Sequence, residues 1–201
     1  NIKIFKATFI LINININMKT LNRKTLCLNM IVKNEEKIIR KKLDNLLNYL
    51  HFDYWVICDT GSYDNTKQII IDYFNKKNII GELFEHTWKN FGHNRTLAIE
   101  AAYNKTDYLF IFDADDSIHG NFKLPDILTF DKYNLQFGKL FTYLRPLLVN
   151  NRLKWKWMGV LHEYLESLSY DITTEIIKGE YYIESGRIGS RIKDKYLKDA
   201  Q

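Results

Sequence analysis

Cysteine is nearly absent. Cys27 and Cys58 are the only two in 201 residues, and neither stands in the spacing that a disulfide framework or a zinc site requires. Both lie in apolar runs, "TLCLNMIV" and "YWVICD", where a cysteine behaves as a small buried hydrophobe. Long unbroken apolar runs are missing as well. The N-terminal "NIKIFKATFILININI" is interrupted by asparagine and falls short of the roughly 20 apolar residues of a membrane span. It also lacks the small-residue cleavage site of a secretory signal, so a cytoplasmic location is expected. The alternation of Ile with Asn from Ile10 to Ile16 reads as a strand or an extended arm, and Met18 after it as an internal start. No repeat, linker or low-complexity segment divides the chain. No glycine-rich loop bearing Lys or Arg follows the first apolar run, where "IVKNEE" stands instead, and this argues against a nucleotidyltransferase.

What is present suits one globular domain: 46% of the residues are hydrophobic and 14% aromatic, enough to bury a full core. The balance of 29 Lys+Arg against 24 Asp+Glu gives a formal charge of +5, which favours an anionic ligand. The basic residues are spread along the chain, with local excess only at Lys41-Lys42 and after Arg187, so no nucleic-acid partner is expected.

From Thr25 to Phe112, buried-looking strands alternate with helical stretches, the order of parallel β-α-β units. The first strand is Leu26 to Val32. Asn34 is placed to cap the next helix, with Glu35 and Glu36 at its positive end and Ile39, Leu43, Leu46, Leu47 and Leu50 on its apolar face. The second strand, Tyr54 to Cys58, runs into the small polar turn "DTGSYDNT" and a helix through Ile69, Ile70, Tyr73 and Phe74. A third strand lies near Leu83 to Glu85, a helix from about Gly92 to Tyr103, and a fourth strand from Tyr108 to Phe112. Beyond Asp116 the pattern changes to a hairpin or mixed-sheet extension, with turns read at Arg145-Pro146 and Asn150-Asn151 and a short strand in "GEYYIES".

Asp59 and Asp113 thus fall at carboxyl ends of strands, where open α/β sheets bind ligands. The stretch "FIFDADDSIHG" sets Asp113, Asp115 and Asp116 around Ala114 at the mouth of an apolar strand, and a hard divalent cation, Mg²⁺ or Mn²⁺, is the simplest reason for such crowding. A solvated turn with an acidic helix cap is the bland alternative. Asp59 follows "WVIC" directly, so its carboxylate can accept a hydrogen bond from a base N–H. Asp64 and Ser62 suit helix capping, and Gly61 an unusual backbone angle.

Four blocks in order, "LCLNMIVKNEEKIIRKKLDNLL", "VICDTGSYDNT", "WKNFGHNRTLAIEAA" and "YLFIFDADD", resemble family 2 glycosyltransferases of the GT-A fold across about residues 25 to 117. A weaker likeness continues through "MGVLHEYLE" and "ESGRIGSRIKDKYLKDA". The resemblance implies a Rossmann-like α/β domain: a mixed, mostly parallel sheet flanked by helices. It divides the chain into an N-terminal extension (1–24) and one domain (25–201), made of a donor-binding half (25–117) and an acceptor-side half with a basic tail (118–201). It also implies a pocket for a nucleotide sugar, a UDP-sugar by preference, formed by Met30, Val32, Asn34, Asp59, Arg95, Asp113, Ala114, Arg187 and Arg191. Asp113 and Asp115 would hold Mn²⁺ or Mg²⁺ on the donor diphosphate. Thr96 stands where the family has Asn.

An inverting transfer needs a base for the acceptor hydroxyl, and "LHEYLE" offers His162-Glu163 where the family often has an acidic pair. Glu163 is assigned as the base and His162 as a third metal ligand. The reverse assignment, or Asp116 as base, stays open. Arg187 and Arg191, with Lys193 and Lys195, are placed to fold over a diphosphate or to form a plain solvated tail. The resemblance implies a glycan, protein or lipid hydroxyl as acceptor. Competing functions are a non-catalytic carbohydrate-binding module from a decayed transferase, and a D-x-D phosphatase with Asp113 as nucleophile.

Overall fold

The computed structural model describes residues 23–159, 163–169 and 171–186. Strands β1 (Leu26–Val32), β2 (Tyr54–Asp59), β3 (Gly81–Glu85) and β4 (Tyr108–Ile111) are parallel neighbours in the order β3-β2-β1-β4. Helices α1 (Ile39–Tyr49), α2 (Thr66–Lys77) and α3 (Phe91–Ala102) connect them in turn. Because the chain steps outward through β1, β2 and β3 and then returns to β4 on the other side of β1, α3 must cross the opposite face. The core divides accordingly. Ile39, Leu43, Leu46, Ile70 and Phe74 from α1 and α2 pack with Leu28, Met30, Ile57 and Phe110 on one face. On the other face Ala98, Ile99 and Ala102 from α3 pack with Cys27, Val56, Cys58 and Leu109. Each large side chain so buried contributes about 1.5–3 kcal/mol relative to exposure. Burial drives both cysteine thiols upward, Cys58 to about 12, so neither is a reactive thiolate at neutral pH.

The second half extends the same sheet with β5 (Ser117–Gly120), β6 (Lys132–Phe137), β7 (Tyr143–Asn150), β10 (Thr174–Ile176) and β11 (Tyr181–Glu184). The full order is β3-β2-β1-β4-β7-β6-β11-β5, with β10 beside β6. Strand β7 lies antiparallel between β4 and β6. Strands β8 (Trp155–Met158) and β9 (Tyr164–Ser167) form a separate antiparallel pair whose Trp155, Trp157 and Leu165 share the core cluster of α3. The result is a mixed, mostly parallel sheet flanked by helices, as the resemblance implies. No helix among the described residues is long and apolar enough to cross a membrane.

Two local expectations are corrected. Asn34 does not cap α1, which begins only at Ile39. It sits in the left-handed region at φ +57°, its N–H donating to Ser62 Oγ (2.9 Å) and its Oδ1 accepting from Tyr63 N–H (3.0 Å). Asn tolerates this conformation better than most residues, so it serves as a clip between the first two βα loops. Arg145-Pro146 is no turn but lies inside β7, beside a register shift between Tyr133 and Asn134. The missing Pro146 N–H is tolerated because the β4–β7 ladder ends at Phe110 opposite Leu148 and does not reach it. Residues 1–22 of the N-terminal extension, His162, Arg187 and Arg191 lie outside the described residues.

Candidate active site

The order reversal at β1 opens a crevice between the carboxyl ends of β1 and β4, the usual ligand position in open α/β sheets. Three loops meet there. The loop after β1 is stitched to the loop after β2: Thr60 N–H and Oγ1 both donate to the Val32 carbonyl, Glu35 N–H donates to Thr66 Oγ1, and Glu36 N–H donates to Asp64 Oδ2. Asp64 Oδ1 also accepts from Thr66 N–H and Thr66 Oγ1, an Asx turn leading into α2; the N-cap expected of Asp64 or Ser62 is Asn65 instead.

Asp59 ends β2 fully buried. Its Oδ1 accepts from the N–H groups of Gly61 and Ser62, both at 2.8 Å, a turn that needs the +103° φ of Gly61. Its Oδ2 is buried with no hydrogen-bond partner. A buried acceptor without a donor is costly, so such an atom calls for an explanation. Met30 and Ala114 are part of the core, and the Val32 carbonyl is occupied by Thr60.

Asp113, just past β4, is held on both oxygens. Arg95 Nη2 donates to Oδ1 at 2.7 Å, and Arg145 Nη2 donates to Oδ2 at 3.2 Å. Arg95 rises from the second turn of α3, whose N-terminus is capped by the Asn90 side chain on His93 N–H. Its guanidinium is stacked against the rings of Phe91 and Trp157, 5.5 and 4.9 Å to the centroids. It is no helix-surface charge: only 12% of the side chain is exposed. Thr96 Oγ1 donates to the Gly92 carbonyl and accepts from Trp157 N–H, fastening α3 to β8.

Burial opposes the Asp113 charge, but the two guanidinia hold its carboxyl below the usual range. Asp116 behaves oppositely. Burial first, then the Asp113 charge, push it up to about 7. Its Oδ1 accepts from Gly186 N–H at 3.2 Å, while its buried Oδ2 has no hydrogen bond and faces Arg145 Nη1 at 3.8 Å. Lys42 of α1 donates to the Asp115 carbonyl (2.6 Å) and to Ser117 Oγ (2.8 Å). Glu35 also belongs to this acidic region: burial, then the charges of Asp115 and Asp64, push its carboxyl up to about 7.

The Asp113 and Asp116 carboxylates of the "DADD" turn are therefore faced by arginines of the protein itself. Arg145, Lys42 and Glu35 were not legible as site residues, since each is brought in by pairing or by loop closure. Among the described residues no group of three or more His, Cys, Asp or Glu gathers as a metal cluster. Two carboxylates at a strand end, completed by diphosphate oxygens and water, are nevertheless what Mg²⁺ or Mn²⁺ commonly takes, so the oxygen-donor set fits such an ion.

Glu163, half-buried, precedes β9 and lies against the first turn of α3. A Cβ at Gly92 would stand 3.6 Å from Glu163 Cγ and only 2.6 Å from the Gly159 carbonyl oxygen. Gly92 thus lets the β8–β9 connection approach α3, one turn before Arg95. Gly92→Ala is expected to cost about 1–3 kcal/mol of overpacking, offset by about 0.5–1 kcal/mol of helix propensity, seen as a lower urea midpoint at unchanged m.

A search of curated proteins finds no match. Among solved structures, S. aureus TarS 1–349 is 15% identical over 79% of this chain and 60% of its own, with a TM-score of 0.48. The same protein in complex with UDP-GlcNAc aligns at 27% identity over 47% of this chain and 27% of its own, TM-score 0.40. The mannosyltransferase PcManGT from Pyrobaculum calidifontis, in complex with GDP-Man and Mn²⁺, aligns at 22% identity over 47% and 28%, TM-score 0.42. The aligned part of this chain spans 27% to 60% of the length of these proteins. The sequence profile described as glycosyl transferase family 2 matches residues 27–137, more than half of the chain, and the chain belongs to that family.

Proposed function

We propose that the protein transfers a sugar from a nucleotide-sugar donor, uridine-based by preference, to a hydroxyl of a glycan, protein or lipid, with inversion at the anomeric carbon. The observation that carries this reading is the unpartnered Oδ2 of buried Asp59 at the carboxyl end of β2, next to the strand that borders the crevice. A uracil imide N–H supplies the donor that this oxygen lacks, whereas adenine presents no ring N–H on its pairing edge. In this reading Asp113, fixed by Arg95 and Arg145, meets the ribose and diphosphate side of the donor. Asp115, with Asp113, would hold Mn²⁺ or Mg²⁺, which when bound supplies positive charge to the departing diphosphate. Glu163 takes the acceptor proton, and a cytoplasmic location completes the proposal. A phosphatase is disfavoured, because the D-x-D motif it would use normally follows the first strand, and here it follows the fourth.

A panel of UDP-, GDP- and ADP-sugars, assayed for transfer and hydrolysis with Mn²⁺ and with chelator, tests the proposal. The expected result is turnover of a UDP-sugar that chelator abolishes; turnover of none overturns it. Asp59→Ala is expected to weaken UDP by about 1–3 kcal/mol in calorimetry, the range for losing a hydrogen bond to a charged group. Equal affinity of the unaltered protein for UDP, GDP and ADP contradicts the role given to Asp59.

A further inference from the structure

Resting on the donor-site reading above, we propose that Arg145 is a resident counter-cation that competes with the divalent ion for Asp113 and passes to the diphosphate when the donor binds. Metal and nucleotide would then load together rather than independently.

The two arginines on Asp113 are not equivalent. Arg95 is stacked between two rings on a helix and donates at 2.7 Å. Arg145 has a single ring beneath it, Phe137 at 4.7 Å, and a longer 3.2 Å bond to Asp113. Its second carboxylate contact, to Asp116 Oδ2, is 3.8 Å, beyond hydrogen-bond range. It stands on the stretch of β7 that has left the β4 ladder, next to Pro146 and to Tyr143 and Leu144, which are 43% and 46% exposed. This is the looser of the two cations, and the one with open surface beside it.

Its charge is placed where it matters. A dication held by Asp113 and Asp115 would lie close to a guanidinium that already neutralises Asp113, and the mutual repulsion lowers metal affinity. A nucleoside diphosphate removes the conflict, because a planar guanidinium exchanges a carboxylate for phosphate oxygens with little loss of hydrogen bonding. By linkage, whatever factor the diphosphate adds to metal affinity the metal adds to diphosphate affinity. Without Arg145, Asp113 would be held by Arg95 alone, and the ion would meet less opposition.

The test is calorimetric titration of Mn²⁺ into the full chain and into Arg145→Met and Arg145→Lys, each with and without saturating UDP, with thermal melts to verify folding. Unaltered protein should bind Mn²⁺ at least about tenfold more tightly with UDP than without, a coupling of ordinary allosteric size. Arg145→Met should bind Mn²⁺ alone about tenfold more tightly than the unaltered protein and show a smaller UDP effect, while Arg145→Lys, which keeps the charge, should stay close to the unaltered protein. A purely structural Arg145 would leave Mn²⁺ affinity unchanged or weaker in the Met variant, and that result overturns the proposal even if both variants fold. Absence of Mn²⁺ binding to unaltered protein with UDP present overturns the metal-dependent donor reading itself, a distinct outcome.

Discussion

Glu163→Gln is expected to lower sugar transfer by about 10²–10⁴-fold, the usual span of a lost general base, while nucleotide affinity is unchanged. The separation follows from position. Glu163 precedes β9 on the α3 face of the sheet, beside Gly92, whereas Asp59 ends β2 and Asp113 lies just past β4. Removing its charge therefore leaves the donor contacts in place. Steady-state transfer measured beside UDP calorimetry checks this. If Glu163→Gln retains transfer and Asp116→Asn loses it, the base is Asp116. The product from an α-linked donor should be β-linked, and an α-linked product by NMR overturns the in-line mechanism.

The second large effect is structural. Asp113→Ala deprives Arg95 of its carboxylate and leaves Arg145 only the 3.8 Å contact to Asp116, in a place where the Arg95 and Asp113 side chains are only 12% and 24% exposed. Removing one partner from such a mostly buried group costs about 3–5 kcal/mol. For a domain of this size that is a fall of about 6–20 °C in Tm by calorimetry. Adding Arg145→Met should restore part of the loss, because one of the two buried guanidinia that Asp113 neutralised is then gone; strict additivity of the two substitutions would show that the pair does not interact.

Much of the first half was legible because each element carries its own period. Buried parallel strands such as Leu26–Val32 are nearly continuous in apolar residues, and Ile39, Leu43, Leu46 and Leu50 recur at helical spacing. Strands β5 and β10 are three or four residues long with little buried, too short for a pattern to register. Strand β6 does alternate, with Tyr133, Leu135 and Phe137 buried between Lys132, Asn134 and Gln136, and that signal was there to be read. Arg145 is a different case. The proline beside it suggests a turn, and its role emerges only from the antiparallel pairing of Phe110 with Leu148, which, carried three residues further, brings Asp113 level with Arg145. Local sequence holds no trace of that register. Asp59 and Asp113 stood out in the sequence because each closes an apolar strand run, whereas Arg95, inside α3, was singled out by the family resemblance alone.

The position of β7 bears on how the domain can be divided. The profile match stops at residue 137, but the strand that joins β4 to β6 begins at Tyr143. A chain ending at the limit of the match would keep every donor-side carboxylate yet leave one edge of β4 open and strip β5 and β6 of every strand partner, because β7, β10 and β11 all lie beyond it. Open apolar edges recruit strands from other molecules. The smallest self-contained unit of this fold is therefore longer than the stretch by which its family is recognised, and insolubility of a shorter piece would report on an unclosed sheet rather than on the chemistry of the cleft.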